Sequence, residues 1–288
     1  MRLTFLGTGT SAGVPAIACS CAVCTSADPR DRRLRTAACL RFTDARGVER
    51  TILIDAGPDL RQQALAAGLT RCDAVVFTHN HVDHTFGVDE LRRFNAVQRE
   101  PIDIYAEPHT LGHLRRVYQH IFESDKNVNQ SFVATLIAHT IDAEQPFDLF
   151  GAKFTPIRLL HGRLPVLGFR IDPPSPPPPA SAPAASETRL SERSGGALPL
   201  AYCTDVSAIP PESYRHLRGL KTLVLDALRH RHHPTHLTLQ QAVTIAGNVG
   251  AERTYFVHMA HDLGHEETQA QLPESMFLAY DGLTIGGG

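Results

Sequence analysis

Phe77-Thr78-His79-Asn80-His81-Val82-Asp83-His84 is the stretch on which the fold turns. It follows Ala74-Val75-Val76, a short apolar, β-branched run that reads as a buried strand. Four metal-capable side chains, His79, His81, Asp83 and His84, fall within six residues. A strand fixes the backbone, and the loop after it lets such side chains converge. His79 and His81, two apart, can project the same way and hold one ion, while Asp83 and His84, on the turn into the next helix, can reach a second. Neutral imidazole with carboxylate suits ions such as Zn²⁺, Mn²⁺ or Fe. The bland alternative is a polar loop that happens to be His-rich; the density of ligands and their place after a buried strand argue against it.

Outward from this loop, strands and helices alternate. Residues 3–6 read as a strand running into the Gly-rich turn Gly7–Gly13, and 41–43 with 51–55 as a hairpin. Helices are expected over 59–67, 87–98, 109–122 and 237–248. Further strands are expected at 101–106, 153–160, 166–171, 198–203, 222–225 and 254–257. Residues 173–198 differ: Pro-Pro-Ser-Pro-Pro-Pro-Pro leads into Ala/Ser-rich sequence and Ser-Gly-Gly. That composition buries little apolar area and predicts a disordered or polyproline-like loop. The same alternation on both sides of it favours one four-layer α/β body over residues 1–288, with a loop insertion, rather than two linked domains.

The His loop resembles the signature of the metallo-β-lactamase superfamily, His-x-His-x-Asp-His after a short strand. The resemblance implies an αββα sandwich and a hydrolase whose nucleophile is a hydroxide bridging two metal ions. It also implies the remaining ligands: His161 in Leu159-Leu160-His161-Gly162, Asp205 in Tyr202-Cys203-Thr204-Asp205, and His258 in Tyr255-Phe256-Val257-His258. Taken singly, His161 and His258 would pass for satisfied strand-end histidines. By the resemblance, His79, His81 and His161 hold one ion, Asp83, His84 and His258 the other, and Asp205 bridges. Asp55, before Ala56-Gly57, resembles the family's carboxylate at the foot of the metal loop, and reads equally as a turn-forming Asp.

Three of the six cysteines lie in Cys19-Ser20-Cys21-Ala22-Val23-Cys24. In a cytoplasmic protein such a cluster reads as a metal knuckle rather than disulfides, and structural Zn²⁺ requires a fourth ligand from elsewhere. Gly13-Val14-Pro15 followed by this Cys cluster resembles the cyclic-phosphate phosphodiesterases of phosphonate degradation. Their type activity opens phosphoribosyl 1,2-cyclic phosphate. That resemblance implies that His261 completes a structural zinc site with Cys19, Cys21 and Cys24. Cys39 is the candidate fourth ligand if His261 is not, and Cys72 and Cys203 read as core. It further implies a catalytic His236, in Thr235-His236-Leu237-Thr238, beside the candidate catalytic carboxylates Asp83 and Asp205. His230, His232 and His233 are rivals for that role, and their polar loop reads as solvated. The expected cofactors are two catalytic divalent ions (Mn²⁺ or Zn²⁺) and one structural Zn²⁺.

Charge narrows the partners. The 30 acidic and 28 basic residues leave a net charge of −2, which gives no global attraction to nucleic acid or membrane. No apolar run approaches the roughly 20 residues of a membrane span. The start, Met1-Arg2-Leu3-Thr4-Phe5-Leu6-Gly7, does not read as a signal peptide, so a cytoplasmic location is expected. The expected substrate is a small-molecule phosphodiester; dimerisation is common in the resembling group, and a homodimer is the oligomer it allows. The tRNA 3′-processing endonucleases share the ligand set and carry an insertion in the same interval, but theirs grips RNA and needs positive charge. Residues 173–198 carry none in net. Thioester or lactam hydrolases share the metals without a role for His236. The PQQ synthesis B proteins share the Cys cluster, and a metal-binding sensor without turnover is the non-enzymatic alternative.

Overall fold

The computed structural model describes residues 1–128, 131–173 and 196–287. Its first sheet is built from β1 (Arg2–Gly7), β2 (Ala37–Thr43), β3 (Glu49–Ile54), β4 (Ala74–Val76), β5 (Ile102–Ala106) and β6 (Leu136–Thr140). The second uses β7 (Phe147–Leu149), β8 (Ala152–His161), β9 (Leu164–Asp172), β10 (Leu200–Cys203), β11 (Thr222–Asp226), β12 (Arg253–Val257) and β13 (Met276–Leu278). The last strand, β14 (Thr284–Ile285), returns to the first sheet beside β1, pairing Ile285 with Leu3. The orders are β14-β1-β2-β3-β4-β5-β6 and β13-β12-β11-β10-β9-β8-β7.

Both sheets follow one pattern. An antiparallel run (β1-β2-β3 and β8-β9-β10) gives way to parallel neighbours (β3-β4-β5-β6 and β10-β11-β12-β13). Side chains alternate faces along a strand. Ile52, Ile54 and Val76 therefore face the second sheet, where Phe154, Phe169, Tyr202 and Val257 meet them, while Leu53 and Val75 face outward. The outward face of the first sheet is covered by α1 (Leu60–Ala66), α2 (Val82–Thr85), α3 (Arg92–Gln98), α4 (Pro108–Val117) and α5 (Gln119–Phe122), through residues such as Leu60, Phe94 and Leu114. Leu223, Leu225 and Phe256 of the second sheet pack under α6 (Leu239–Val249), with α7 (His265–Gln269) following β12. The result is the expected four-layer αββα sandwich. Buried on both faces, β3, β4 and β11 read as continuous apolar runs rather than alternating ones.

Helix α6 shows how local sequence sets position. Thr238 caps it, accepting from Gln241 N–H while Gln241 accepts from Thr238 N–H, and Gly250 closes it in the left-handed region. The cap fixes where the chain leaves the loop that carries His236.

Two expected helices are broken. Residues 87–98 form a 3₁₀ turn, Val88–Leu91, before α3. The 109–122 segment is interrupted at Tyr118, whose hydroxyl donates to the Thr85 carbonyl and so ties the kink to α2. Strands β6, β7, β13 and β14 were not expected; β7 and β13 have three residues each, β14 has two, and β6 alternates weakly at a sheet edge. Most of the Pro-rich segment expected to be a loop, residues 174–195, lies outside the described residues. Among the described residues, no helix is long and apolar enough to cross a membrane.

Candidate active site

The parallel strands of both sheets end at one edge of the sandwich, the end of such sheets where ligand sites form. Asp55 follows β3, His79 follows β4, Asp205 follows β10, and His258 follows β12, while Asp226 and His161 are the last residues of β11 and β8. These ends bring the expected residues together in two groups. His79, His81 and His161 form one, and Asp83, His84, Asp205 and His258 the other, with the candidate ligand atoms of each group within 4.8 Å of one another. His79 stacks edge-on to His81 at 4.5 Å, and His84 lies 4.3 Å from His79, so the groups adjoin.

Three of these residues hold a backbone that L-residues seldom adopt: φ is +66° at Asp55, +56° at Asp205 and +60° at His258. Such positions cost of order 1 kcal/mol or more each and gather where the surroundings fix them. Asp55 and Asp205 end the third strands of the two repeated patterns, so both sheets make the same turn toward the site. The chain after Asp55 comes so close to α2 that a Cβ on Gly57 would lie 1.9 Å from the Asp83 carbonyl oxygen. Only Gly fits there.

Hydrogen bonds set the tautomers. Asp55 accepts from Thr78 N–H and Thr78 Oγ1, both at 2.8 Å, and from His84 Nδ1 at 2.7 Å. Because the Thr78 hydroxyl spends its proton on Asp55, it accepts from His79 Nδ1 at 2.9 Å. His161 Nδ1 donates to the Thr235 carbonyl at 2.7 Å. With Nδ1 hydrogen-bonded in all three rings, each turns Nε2 into the site, which is the orientation that a metal-binding imidazole needs. Asp55 is thus the orienting carboxylate under the loop, not a free turn residue.

The polar atoms left over fit a cation. His79 Nε2, His84 Nε2 and both ring nitrogens of His258 are buried and make no hydrogen bond. His84 Nε2 lies 3.2 Å from Asp205 and 3.3 Å from Asp83, and His258 Nε2 lies 3.2 Å from Asp205, yet none is aimed as a hydrogen bond. The nitrogens and carboxylates face shared space instead. Burial pushes His79, His81 and His161 down toward the neutral, ligand form. Burial opposes charge at His84 and His258 too, but the neighbouring Asp205 and Asp83 prevail, raising His84 well above its ordinary value and His258 to about 9. In turn these imidazoles hold Asp83 and Asp205 well below the usual carboxylate range despite burial. The cluster draws positive charge to its centre, and borderline divalent ions match its nitrogen and oxygen donors.

His236 lies over this cluster, its ring stacked on His258 at 4.6 Å and edge-on to His161 at 4.5 Å. A ligand-capable atom of His236 falls within 4.8 Å of His161 and Asp205. Its Nδ1 donates to Asp226 Oδ2 at 2.6 Å, and the same oxygen accepts from Val206 N–H at 2.8 Å. Asp226 was missed from sequence, although a signal existed: it ends the buried run Thr222-Leu223-Val224-Leu225-Asp226 as Asp55 ends Thr51-Ile52-Leu53-Ile54-Asp55. Asp226→Asn is expected to lower kcat about tenfold to a hundredfold with KM and metal content held, because the carboxylate that orients the His236 ring is gone. Steady-state kinetics across pH, with metal analysis, check it.

The cysteine loop meets the C-terminal side of the site. Cys19, Cys21, Cys24 and His261 bring their donor atoms within 4.8 Å of one another, with Cys19 and Cys21 Sγ each 3.2 Å from His261 Nδ1. The Cys24 amide and His261 lower the Cys21 thiol to about 6, while burial raises Cys24 to about 11. The buried Arg33 fastens the same region, donating to the carbonyls of Ala260 and Leu263 and pairing with Asp31. Cys39, the alternative fourth ligand, is instead fully buried in β2 and outside this cluster; Cys72 and Cys203 are core, as expected.

Comparisons with known proteins give the family and the fold. Residues 50–259 match the beta-lactamase superfamily domain family. The crystal structure of a new diphosphatase from the PhnP family is 40% identical, with a TM-score of 0.81, over 99% of this chain and 97% of that one. Zn²⁺-bound PqqB from Methylobacterium extorquens shares the fold at 20% identity and a TM-score of 0.72, over the whole of both chains. An octanoyltransferase of Porphyromonas gingivalis is 34% identical over 285 residues, which are 98% of this chain and 51% of that protein. The chain therefore spans about half the length of that relative. The metallo-β-lactamase fold implies divalent metal ions, for which the orphaned imidazole nitrogens supply the fit. By the family match and the end-to-end likeness to the diphosphatase, the chain belongs to the beta-lactamase superfamily, within its PhnP family.

Proposed function

We propose that this protein is a dinuclear metal-dependent phosphodiesterase that hydrolyses a small cyclic phosphodiester of the phosphoribosyl 1,2-cyclic phosphate type. The observation that carries the reading is the His236–Asp226 pair set against the seven-residue cluster, because it adds a proton-handling group to a metal site. His79, His81 and His161 would hold one ion, Asp83, His84 and His258 the second, and Asp205 both. Bound there, divalent ions supply water activation near neutral pH and neutralise charge building on phosphoryl oxygens. The chain's own part is orientation and proton transfer. Asp55 and Thr78 lock the imidazoles as ligands. Asp226 fixes His236 with its Nδ1 proton engaged, so that Nε2 can protonate a leaving alkoxide. Cys19, Cys21, Cys24 and His261 would hold a separate structural Zn²⁺, with a cytoplasmic location consistent with their being free thiols.

The PhnP-family relative is a diphosphatase, which favours a second reading in which a diphosphate bridge is cut by the same groups. Hydrolysis of phosphoribosyl 1,2-cyclic phosphate, nucleoside diphosphates and bis(p-nitrophenyl) phosphate by the metal-loaded protein separates the two. Preference for the cyclic ester supports the first, and preference for the diphosphate replaces it with the second. A protein that turns over a thioester and none of these overturns both. His236→Ala is expected to reduce kcat on the preferred substrate about a hundredfold or more, with metal content unchanged; full activity in that variant would remove the proton-transfer role.

A further inference from the structure

The loop Arg229-His230-Arg231-His232-His233-Pro234-Thr235 carries five side chains able to meet an anion, and the structure separates them. Arg229 spends its guanidinium on the carbonyls of Arg231 and His232, at 3.3 and 3.0 Å. Arg231 reaches Asp262 at 3.5 Å, and His230 and His232 are exposed. His233 is half-buried, with its ring 5.2 Å from that of His236. The sequence reading of a wholly solvated loop therefore fails at His233.

His233 is also held in one tautomer. Its Nδ1 accepts from Thr235 N–H at 3.3 Å and lies 3.1 Å from Thr235 Oγ1. A backbone amide only donates, so Nδ1 carries the lone pair and the ring proton of the neutral imidazole sits on Nε2. Thr235 is itself pinned, because its carbonyl accepts from His161 Nδ1. The β8–β9 tip packs closely enough against this loop that a Cβ on Gly162 would lie 2.8 Å from Thr235 Cγ2, and φ at Gly162 is +63°. His233 is thus fixed relative to both His161 and His236 by the chain that positions the site.

We propose that His233 contacts the substrate, offering its Nε2–H to an anionic phosphoryl oxygen beside the group protonated by His236. The proposal deepens the phosphodiester reading above and rests on it for the identity of the anion. A neutral N–H meeting an anion contributes about tenfold to a hundredfold in affinity. His233→Phe keeps the ring and removes both nitrogens, while His233→Gln keeps an amide donor.

The test uses the zinc-loaded full chain and inorganic phosphate as the probe, measured by calorimetry, alongside KM and kcat for bis(p-nitrophenyl) phosphate. His233→Phe is expected to weaken phosphate binding and raise KM by about tenfold, with kcat within about twofold and metal content and Tm unchanged. His233→Gln recovers most of the loss, and His232→Ala matches the wild type. In the wild type, phosphate shifts the ¹⁵N resonance of the His233 Nε2–H. Unchanged phosphate binding and KM in His233→Phe overturns the proposal, as does a loss that His233→Gln shares equally. If His233→Phe does not fold, the absence of a phosphate-dependent shift at His233 in the wild type overturns it. Phosphate binding that depends on His233, in a protein that cleaves no phosphodiester, leaves the contact standing and removes the hydrolytic reading. Turnover indifferent to His233 does the reverse.

Discussion

Asp205→Ala is expected to lower turnover by about a thousandfold or more, ~4 kcal/mol of transition-state stabilisation, and to leave the catalytic ions unbound in a purified sample. The carboxylate is fully buried, and its oxygens lie 3.2 Å from His84 Nε2, 3.2 Å from His258 Nε2 and 4.0 Å from His79 Nε2. Its carboxylate lies within 4.0 Å of imidazoles of both candidate metal groups, so its loss removes counter-charge from each, with Asp83 remaining beside His84 and His258. Backbone strain can be separated from charge. Asp205 sits at φ +56°, where alanine is disfavoured and glycine is not, so Asp205→Gly should be more stable than Asp205→Ala and equally inactive. Elemental analysis and steady-state kinetics decide the matter: two retained ions with more than about a tenth of the wild-type rate would show that Asp205 does not join the sites.

Cys21→Ser is expected to release one ion of about three per chain and to cost at least about 3 kcal/mol of stability, a fall of roughly 6–12 °C in Tm. The size follows from chain distance. A Zn²⁺ held by Cys19, Cys21, Cys24 and His261 would link segments some 240 residues apart, and little else ties the loop of residues 16–26 down. The two catalytic ions should remain, since no residue is shared between the clusters. Cys39→Ser is the discriminating control: its thiol lies in the core of β2, so the third ion should stay and only packing should suffer. Equal loss of every ion from Cys21→Ser would show that the sites are not independent.

Much of this was legible because chemistry concentrates locally in sequence. His79, His81, Asp83 and His84 announce themselves by density, and the strand before them by its β-branched residues. His161, Asp205 and His258 are single residues at strand ends, which only a resemblance could collect from across the chain. Asp226 and His233 escaped for different reasons. Asp226 acts through His236: the carboxylate at the end of a buried run is visible in sequence, but its partner is set by the placement of β11 against the next loop. His233 sits among four other basic side chains of one loop, and only the folding of Arg229 and Arg231 onto their own surroundings singles it out. The short strands β7 and β13 escaped because three residues carry no periodicity.

The cluster draws His79, His81, Asp83 and His84 from the first sheet's side and His161, Asp205 and His258 from the second's. Neither half of the chain can assemble it alone. The free energy with which an ion binds therefore includes that of docking the sheets, and the two are thermodynamically linked. Loosening a residue such as Phe5 or Phe154, deep between the sheets and without a donor atom, weakens the protein's hold on its ions from a distance. Metal occupancy, measured at limiting ion concentration, is in this protein a gauge of how well its two halves are joined.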